Sequence, residues 1–457
     1  MPIRDIADSD RRHQIHSLHH PIDTQDAVTF VSGRGIYVGD ADGKKYIDGL
    51  SGLWNVNVGH GRTELADVAA RQMRKLAYFS GYAGSTTIPS IELAERLMEF
   101  VPHMVGVYFT SGGSEANEAA FKTARYYWKT LGKNDKVKII SRIHGYHGTT
   151  LQVMSATGIA GYWKMFEPRV PGFIQVETCY PYRFDATDSC TTPGEAAAQQ
   201  IEDAILRSGP DTVAAFIGEP IHGAGGIIYP TEDYWPRVRE ICTRHNVLLI
   251  ADEIVTGFGR TGRWFGLEHW NVLPDIFTFA KGVTSGYLPL GGMIVSRAIK
   301  DAIDSADQAN RWMHGYTYSG HPTCCAVALK NIEIIEREGL VANSAMMGNV
   351  LLSELKDAFG GHPNAGDIRG GKGLLAAVEF VEERKTRKNF PVEKGFGNRL
   401  RMEMRKRGVI TRTRPAGGQH PAPGDELFFS PPLIINEQEI HRLVAVAKES
   451  VDAALNI

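Results

Sequence analysis

The middle of the chain alternates short, unbroken apolar runs with amphipathic helical stretches, an order that few folds accept. The runs are "VGVYFT", "KVKIIS", "TVAAFIGEP", "VLLIADEI", "DIFTFAK" and "GGMIVS". None alternates polar with apolar residues, so each predicts a strand covered on both faces, as in a parallel sheet flanked by helices. Between them, "SEANEAAFKTARYYWK" repeats Ala116, Ala120, Thr123 and Tyr127 at helical spacing. The expected class is therefore α/β. Upstream, "GRGIYVGDADGKKYIDGLSG" reads as a hairpin turning on "DADG". At 457 residues the chain has room for two or three cores. We divide it into an N-terminal arm and hairpin (1–60, part of a small domain), a large α/β domain (61–325) and a C-terminal α+β part of the small domain (326–457). "RPAGGQHPAPGD", Arg414 to Asp425, is rich in Pro and Gly and reads as a flexible insertion.

Composition narrows the function. Charged residues make up 22% and the net charge is −2, with no long basic block, so nothing electrostatic points to nucleic acid or an anionic membrane. The apolar runs fall far short of a membrane span, and the polar N-terminus lacks the apolar core of a signal peptide. Five cysteines show neither metal-ligand spacing nor disulfide density, so the expectation is a cytoplasmic protein with free thiols. "HGYHG" sets His144 and His147 three apart, but no carboxylate or cysteine stands nearby in sequence, and no metal is expected.

Four features stand at or just after expected strand ends, where open parallel sheets bind ligands. In "FTSGGSEANE", Ser111, Gly112, Gly113 and Ser114 lead from a strand straight into a helix. Glycines let the backbone approach an anion, and the orphan N–H groups of the first turn point at it. An ordinary turn and N-cap would read the same way. In "LLIADEIVTGFGRTG", Asp252 ends an aliphatic strand, where a carboxylate needs a cationic or N–H partner. Gly257, Gly259 and Gly262 in that stretch match G-x-G-x-x-G, but no convincing helix follows, and a nicotinamide-dependent dehydrogenase has no other support. In "GEPIHGAGG", Glu219 either caps its strand or reaches the same crevice as Asp252. Lys281, in "FTFAKGVTSG", closes a buried strand with no acidic neighbour in sequence. A lysine in a partly apolar crevice has its ammonium form disfavoured, which frees a nucleophilic amine. Lysine, carboxylate and phosphate cradle together are the set that pyridoxal 5′-phosphate requires.

With these motifs in place, the chain resembles the class III aminotransferases of fold type I, the omega-transaminases, over nearly its whole length. The resemblance rests on "LSGLWNVNVGHG", "FTSGGSEANE", "SRIHGYHGTT", "AAFIGEPIHGAGG", "LIADEIVTGFGRTG", "FAKGVTSGYLPLGG", "HGYTYSGHP" and "FFSPPLII". It is nearest to pyruvate-using enzymes of the taurine and β-alanine type. It implies a mostly parallel seven-stranded sheet and a homodimer, or dimer of dimers, with shared active sites. It implies that Lys281 binds the cofactor aldehyde, that Asp252 pairs with the ring nitrogen and that Gly113 and Ser114 hold the phosphate. Tyr146 and Ile254 would flank the ring, Glu219 would border the cofactor, and Thr317 would reach the phosphate of the neighbouring subunit. Trp54 and Tyr146 would line the substrate pocket.

In this family a mobile arginine grips the keto-acid carboxylate and swings aside for an amine without one. The context "GVITR" places it at Arg412, with Arg414 two residues on as the alternative. The planar fork of a guanidinium suits carboxylate or sulfonate oxygens. This chain departs from the family pattern in the insertion at 415–423 and in His222, where many relatives place glutamine. The implied reaction is ping-pong transfer of an amino group to pyruvate. An aminomutase or decarboxylase on the same fold would share Lys281 and Asp252.

Overall fold

The structure is a computed structural model that describes residues 3–456, apart from 19, 21, 23–26, 83, 185–191 and 417–421 and the side chains of 3–5. Its centre is a seven-stranded sheet in the order Met104–Thr110, Gly291–Ser296, Ile276–Phe279, Leu248–Asp252, Val213–Gly218, Lys138–Arg142, Phe173–Val176. The unbroken apolar runs are buried on both faces: every residue of Val213–Gly218, Leu248–Asp252 and Ile276–Phe279 is buried. Phe173–Val176 was not expected. It is a half-buried edge strand of four residues, too short to show an apolar run.

Gly291–Ser296 pairs antiparallel with both of its neighbours, whereas the other pairs are parallel. The reason lies in chain length. Between Phe279 and Gly291 the chain makes the Lys281 turn and a short loop, and a parallel return needs a crossover of a dozen or more residues.

Helix Gly113–Thr130 covers one face of the sheet. Its Ala119, Ala120, Phe121 and Ala124 pack on Ile139, Ala215, Ile217 and Ile250, all fully buried. Small alanines let the helix approach closely. Ile217→Ala or Ile250→Ala would cost about 2–5 kcal/mol at such a site.

Two further sheets join distant parts of the chain. Tyr37–Asp40 and Lys45–Asp48 form the expected hairpin, with Asp40 Oδ1 accepting from Lys44 N at 2.8 Å. Val409–Ile410 then pairs in parallel with Lys45–Asp48. The third sheet has the order Ala365–Gly371, Gly373–Phe380, Asp425–Phe429, Thr413–Arg414. Buried Arg260 ties the segments together, donating to Ser51 Oγ (3.0 Å), Asn57 Oδ1 (2.7 Å), Leu374 O (3.1 Å) and Pro431 O (2.6 Å). Among the described residues no helix is long and apolar enough to cross a membrane, and no group of three His, Cys, Asp or Glu is poised to hold a metal. Cys179, Cys242, Cys324 and Cys325 are free and buried; Cys190 lies outside the described residues.

Candidate active site

The C-terminal ends of the parallel strands border one cavity of about 420 Å³, lined by Ser111–Ser114, Tyr146, His147, Glu219, Asp252, Ile254 and Lys281 among others. Parallel strands put all these ends on one edge of the sheet, and so the sequence-distant motifs converge.

Asp252 closes its strand buried. Its Oδ2 accepts from Asn117 Nδ2 at 2.9 Å and His147 Nδ1 at 2.7 Å, and its Oδ1 accepts from Ile254 N at 3.2 Å. Because a carboxylate only accepts, His147 carries its proton on Nδ1. Thr278 Oγ1 donates to Asn117 Oδ1 at 2.8 Å, which fixes the amide's orientation. The reading of "HGYHG" as lacking a carboxylate partner is thus corrected: the partner comes from another strand. Asn117 and His147 were missed. The available signal was an asparagine on the buried face of an alanine-rich helix.

Lys281 begins a tight turn with φ +44°, a left-handed conformation that costs on the order of 1–3 kcal/mol off glycine. Asn331 Nδ2 holds that turn, donating to Gly282 O (2.9 Å) and Val283 O (3.0 Å). Burial pushes the Lys281 ammonium below its ordinary value; Asp252 and Glu219 oppose this through space, and the Arg412 charge adds to it. The lysine is thus less basic than an exposed one, and the carboxylates that act on it come from neighbouring strand ends.

Helix Gly113–Thr130 opens at the cavity with Gly112 as its N-cap and no side-chain cap. Its first N–H groups therefore remain available for an anion. Ser114 sits inside the first turn rather than at the cap. A Cβ on Gly113 would lie 2.7 Å from Ile254 Cδ1, so a larger residue there would have to push the end of that side chain aside. Glu219 is buried and accepts from Tyr146 N (3.0 Å) and Gly223 N (2.8 Å). Burial raises its carboxyl, His147 lowers it and Asp252 raises it further. Burial also pushes the Tyr146 phenol up to about 12.

Trp54 does not line this cavity. It is buried beside Phe428, ring centroids 6.1 Å apart, with the Arg412 guanidinium 5.7 Å from its ring. Arg414 is committed elsewhere, to Gly225 O, His144 Nδ1 and the Glu426 carboxylate. Thr317 is exposed and away from this chain's own cavity, its carbonyl accepting from Tyr78 Oη. His222 is also outside the cavity, buried with Nε2 3.1 Å from Thr178 Oγ1. Gly259 and Gly262 pack against Val341 and Ala345, not against a ligand, and the strand–glycine–helix order of a dinucleotide site is missing. Residues 417–421 of the insertion lie outside the described residues.

A parallel sheet with a lysine, a carboxylate and an uncapped helix at one edge is the architecture of a pyridoxal-phosphate transferase. The family model for aminotransferase class-III matches residues 21–451. The chain is 39% identical to the diaminobutyrate–2-oxoglutarate transaminase of Halomonas elongata, covering 98% of this chain and 96% of the relative. It is 39% identical to the taurine–pyruvate aminotransferase of Bilophila wadsworthia, covering 95% and 94%. The omega-transaminase of Pseudomonas jessenii in complex with PMP superposes with a TM-score of 0.93 at 38% identity, covering 99% of this chain and 98% of that one. The chain belongs to the class-III aminotransferases. It is an aminotransferase of the fold-type-I α/β class, and its cofactor is pyridoxal 5′-phosphate. The residues present fit that group: the uncapped helix start suits the phosphate, the Gly113–Ile254 contact leaves the backbone accessible, and a buried carboxylate and an amine border the remaining space.

Proposed function

We propose that this aminotransferase moves an amino group from a primary amine or ω-amino acid, such as taurine or β-alanine, to pyruvate, with donor and acceptor using the cavity in turn. The observation that carries the reading is the pair Arg412 and Arg414: one guanidinium rests over Trp54 and acts on Lys281 and Tyr146, while the other is bound to backbone and carboxylate. An arginine resting on an aromatic face keeps a modest cation–π contact when no carboxylate is present and can leave it for a bidentate pair. Such an exchange accommodates donors with and without an acidic group.

The bound cofactor supplies an aldehyde that takes up the amino group and a conjugated ring that accepts the electron pair of the deprotonated carbon. Lys281 Nζ takes the proton from the donor's amino-bearing carbon and returns it, a task helped by the burial that lowers its basicity. Asp252, oriented by Asn117 and His147, presents its carboxylate to the ring nitrogen. Gly113 and Ser114 would hold the phosphate through backbone N–H groups, Tyr146 and Ile254 would flank the ring, and Glu219 fixes the Tyr146 backbone. Arg412 orients the acceptor by its carboxylate.

Thr317 lies on a surface that also exposes Phe79, Tyr82, Met313 and Tyr318. That apolar surface supports a homodimer or dimer of dimers in which Thr317 serves the partner's site, and its free buried thiols suit a cytoplasmic setting. The test is a donor panel of taurine, β-alanine, 1-phenylethylamine and diamines with pyruvate, read as alanine formed. 2-Oxoglutarate serves as the rival acceptor, and size-exclusion chromatography gives the assembly. Turnover with 2-oxoglutarate but not pyruvate overturns the acceptor assignment. Release of CO₂, or turnover without any keto acid, overturns transamination in favour of a decarboxylase or aminomutase.

A further inference from the structure

We propose that Arg414 is a positioning residue for Arg412: it pins the strand carrying both arginines to the two loops that wall the cavity, and so sets how far Arg412 reaches. The inference rests on the role proposed above for Arg412.

The two side chains leave one extended segment. Thr413–Arg414 pairs antiparallel with Asp425–Phe429, Arg414 opposite Glu426, and Phe428 N donates to Arg412 O at 3.1 Å. A spacing of two along extended backbone sends both arginines to the same side. Their fates then diverge. Arg414 Nη1 donates to Gly225 O and stands 3.7 Å from Glu426 Oε2, while its Nη2 lies 3.2 Å from His144 Nδ1.

Two of those partners sit in loops that also carry cavity-lining residues, Glu219 and Tyr146. Gly225 is in the loop that follows Glu219, whose carboxylate holds Gly223 N and Tyr146 N. His144 precedes Tyr146 by two residues and is itself left-handed, φ +64°. The two loops touch so closely that a Cβ on Gly225 would overlap the His144 carbonyl. Arg414 therefore grips both loops at their contact, at the last residue before Pro415, which has no N–H to continue the sheet.

A second arginine reinforces the grip. Arg369 Nη2 donates to Gly226 O (2.7 Å) and Glu426 Oε1 (2.5 Å), and its Nη1 donates to Glu379 Oε2 (2.8 Å). Glu379 is bound in addition by Arg183, and Tyr180 donates to it. Glu426 is fully buried, and its Oε2 has no hydrogen-bond partner among the described residues. Arg414 is the cation that faces this oxygen. Its side chain thus has two separable effects: it offsets a buried charge and it ties the Arg412 strand to the cavity wall. A shift of about an ångström in Arg412 would spoil a bidentate grip on the acceptor while leaving the donor chemistry at Lys281 untouched.

The two effects are separated with holoenzymes of Arg414→Met, Arg414→Lys, Arg414→Met/Glu426→Gln and Arg412→Ala. The donor half-reaction is followed with 1-phenylethylamine as loss of the cofactor's visible band, and the acceptor half-reaction with pyruvate. Arg414→Met is expected to raise the pyruvate KM about tenfold, the scale of one weakened charged hydrogen bond, with the donor half-reaction within about twofold. Arg414→Lys, which keeps the charge but not the fork, falls between. The double variant is expected to recover the Tm lost in Arg414→Met while keeping the raised pyruvate KM. Recovery of the pyruvate KM along with Tm would show Arg414 to be a counter-charge only and overturn the proposal. An unchanged pyruvate KM in both Arg414→Met and Arg414→Lys would do the same. If Arg412→Ala leaves the pyruvate KM unchanged, the reading of Arg412 itself fails, and that result is independent of the Arg414 series.

Discussion

Asp252, Lys281 and the Gly113 turn each end or follow a strand of one sheet at the cavity, whereas Arg412, proposed to grip the acceptor, stands next to strand Thr413–Arg414 of the C-terminal sheet. The first end is rigid by construction. Its polar groups hang on buried strands and hold one another, Thr278 to Asn117 to Asp252. The second end depends on Arg369 and Arg414, which join the C-terminal sheet to the carbonyls of Gly226 and Gly225 in the loop after Glu219. The difference teaches that chemistry and specificity are carried by separate structural units, which can change independently.

Lys281→Ala tests this division most severely. Loss of the residue proposed both to bind the aldehyde and to move the proton should cut turnover by at least about 10³–10⁴-fold for every donor and acceptor. Residual turnover that differed between acceptors would break the separation. Asp252→Ala comes next, with an expected loss of about 10²–10³-fold, the scale of one preorganised electrostatic partner, again equal for all acceptors when kcat is compared. Arg412→Ala should lower kcat/KM for pyruvate roughly 10- to 100-fold, since charged hydrogen bonds contribute about 1.5–3 kcal/mol. The half-reaction with 1-phenylethylamine should keep its rate, and a parallel loss there would merge the two ends.

The smallest effect on activity is expected at Glu253, which adjoins Asp252 but accepts from Thr256 Oγ1, Gly266 N (2.7 Å) and Leu267 N (2.9 Å) outside the cavity. Burial pushes its carboxyl from 4.5 up to about 7. A raised carboxylate binds more protons in the folded state between these values, so stability falls as pH rises from 4.5 through 7, by on the order of 3 kcal/mol. Denaturant melts of Glu253→Gln across that window should show a flatter slope, with turnover within about twofold of the parent. A large loss of turnover would mean that this neighbour belongs to the site as well.

The cofactor end was legible because an anion cradle and a buried strand end have local signatures. "TSGGSE" names its turn and helix in consecutive residues, and "LLIAD" shows a carboxylate closing an apolar run. Asn117 and His147 were not legible, because their meaning depends on a carboxylate on a strand more than a hundred residues away. The same holds for the two arginines. In sequence only the "GVITR" context favours Arg412 over Arg414, and the positions of Gly225, His144 and Glu426 add the physical distinction. His222, which stands where many relatives place glutamine, is buried with its Nε2 near Thr178 Oγ1, a partner with no sequence proximity. The direction of Gly291–Ser296 likewise followed from the shortness of its connection rather than from its apolar pattern.

The parallel pairing of Val409–Ile410 with Lys45–Asp48 also imposes an order on biosynthesis. A growing chain leaves the ribosome from its N-terminus, so the 45–48 strand waits with one side unpaired while nearly the whole protein is made. The seven strands of the central sheet are all released in that interval, and the segment bearing Arg412 follows only at the end. The nascent chain therefore has every strand of the central sheet before it has the arginine proposed to grip the acceptor. Until residues 409–410 emerge, that strand edge presents backbone N–H and C=O groups without their final partners.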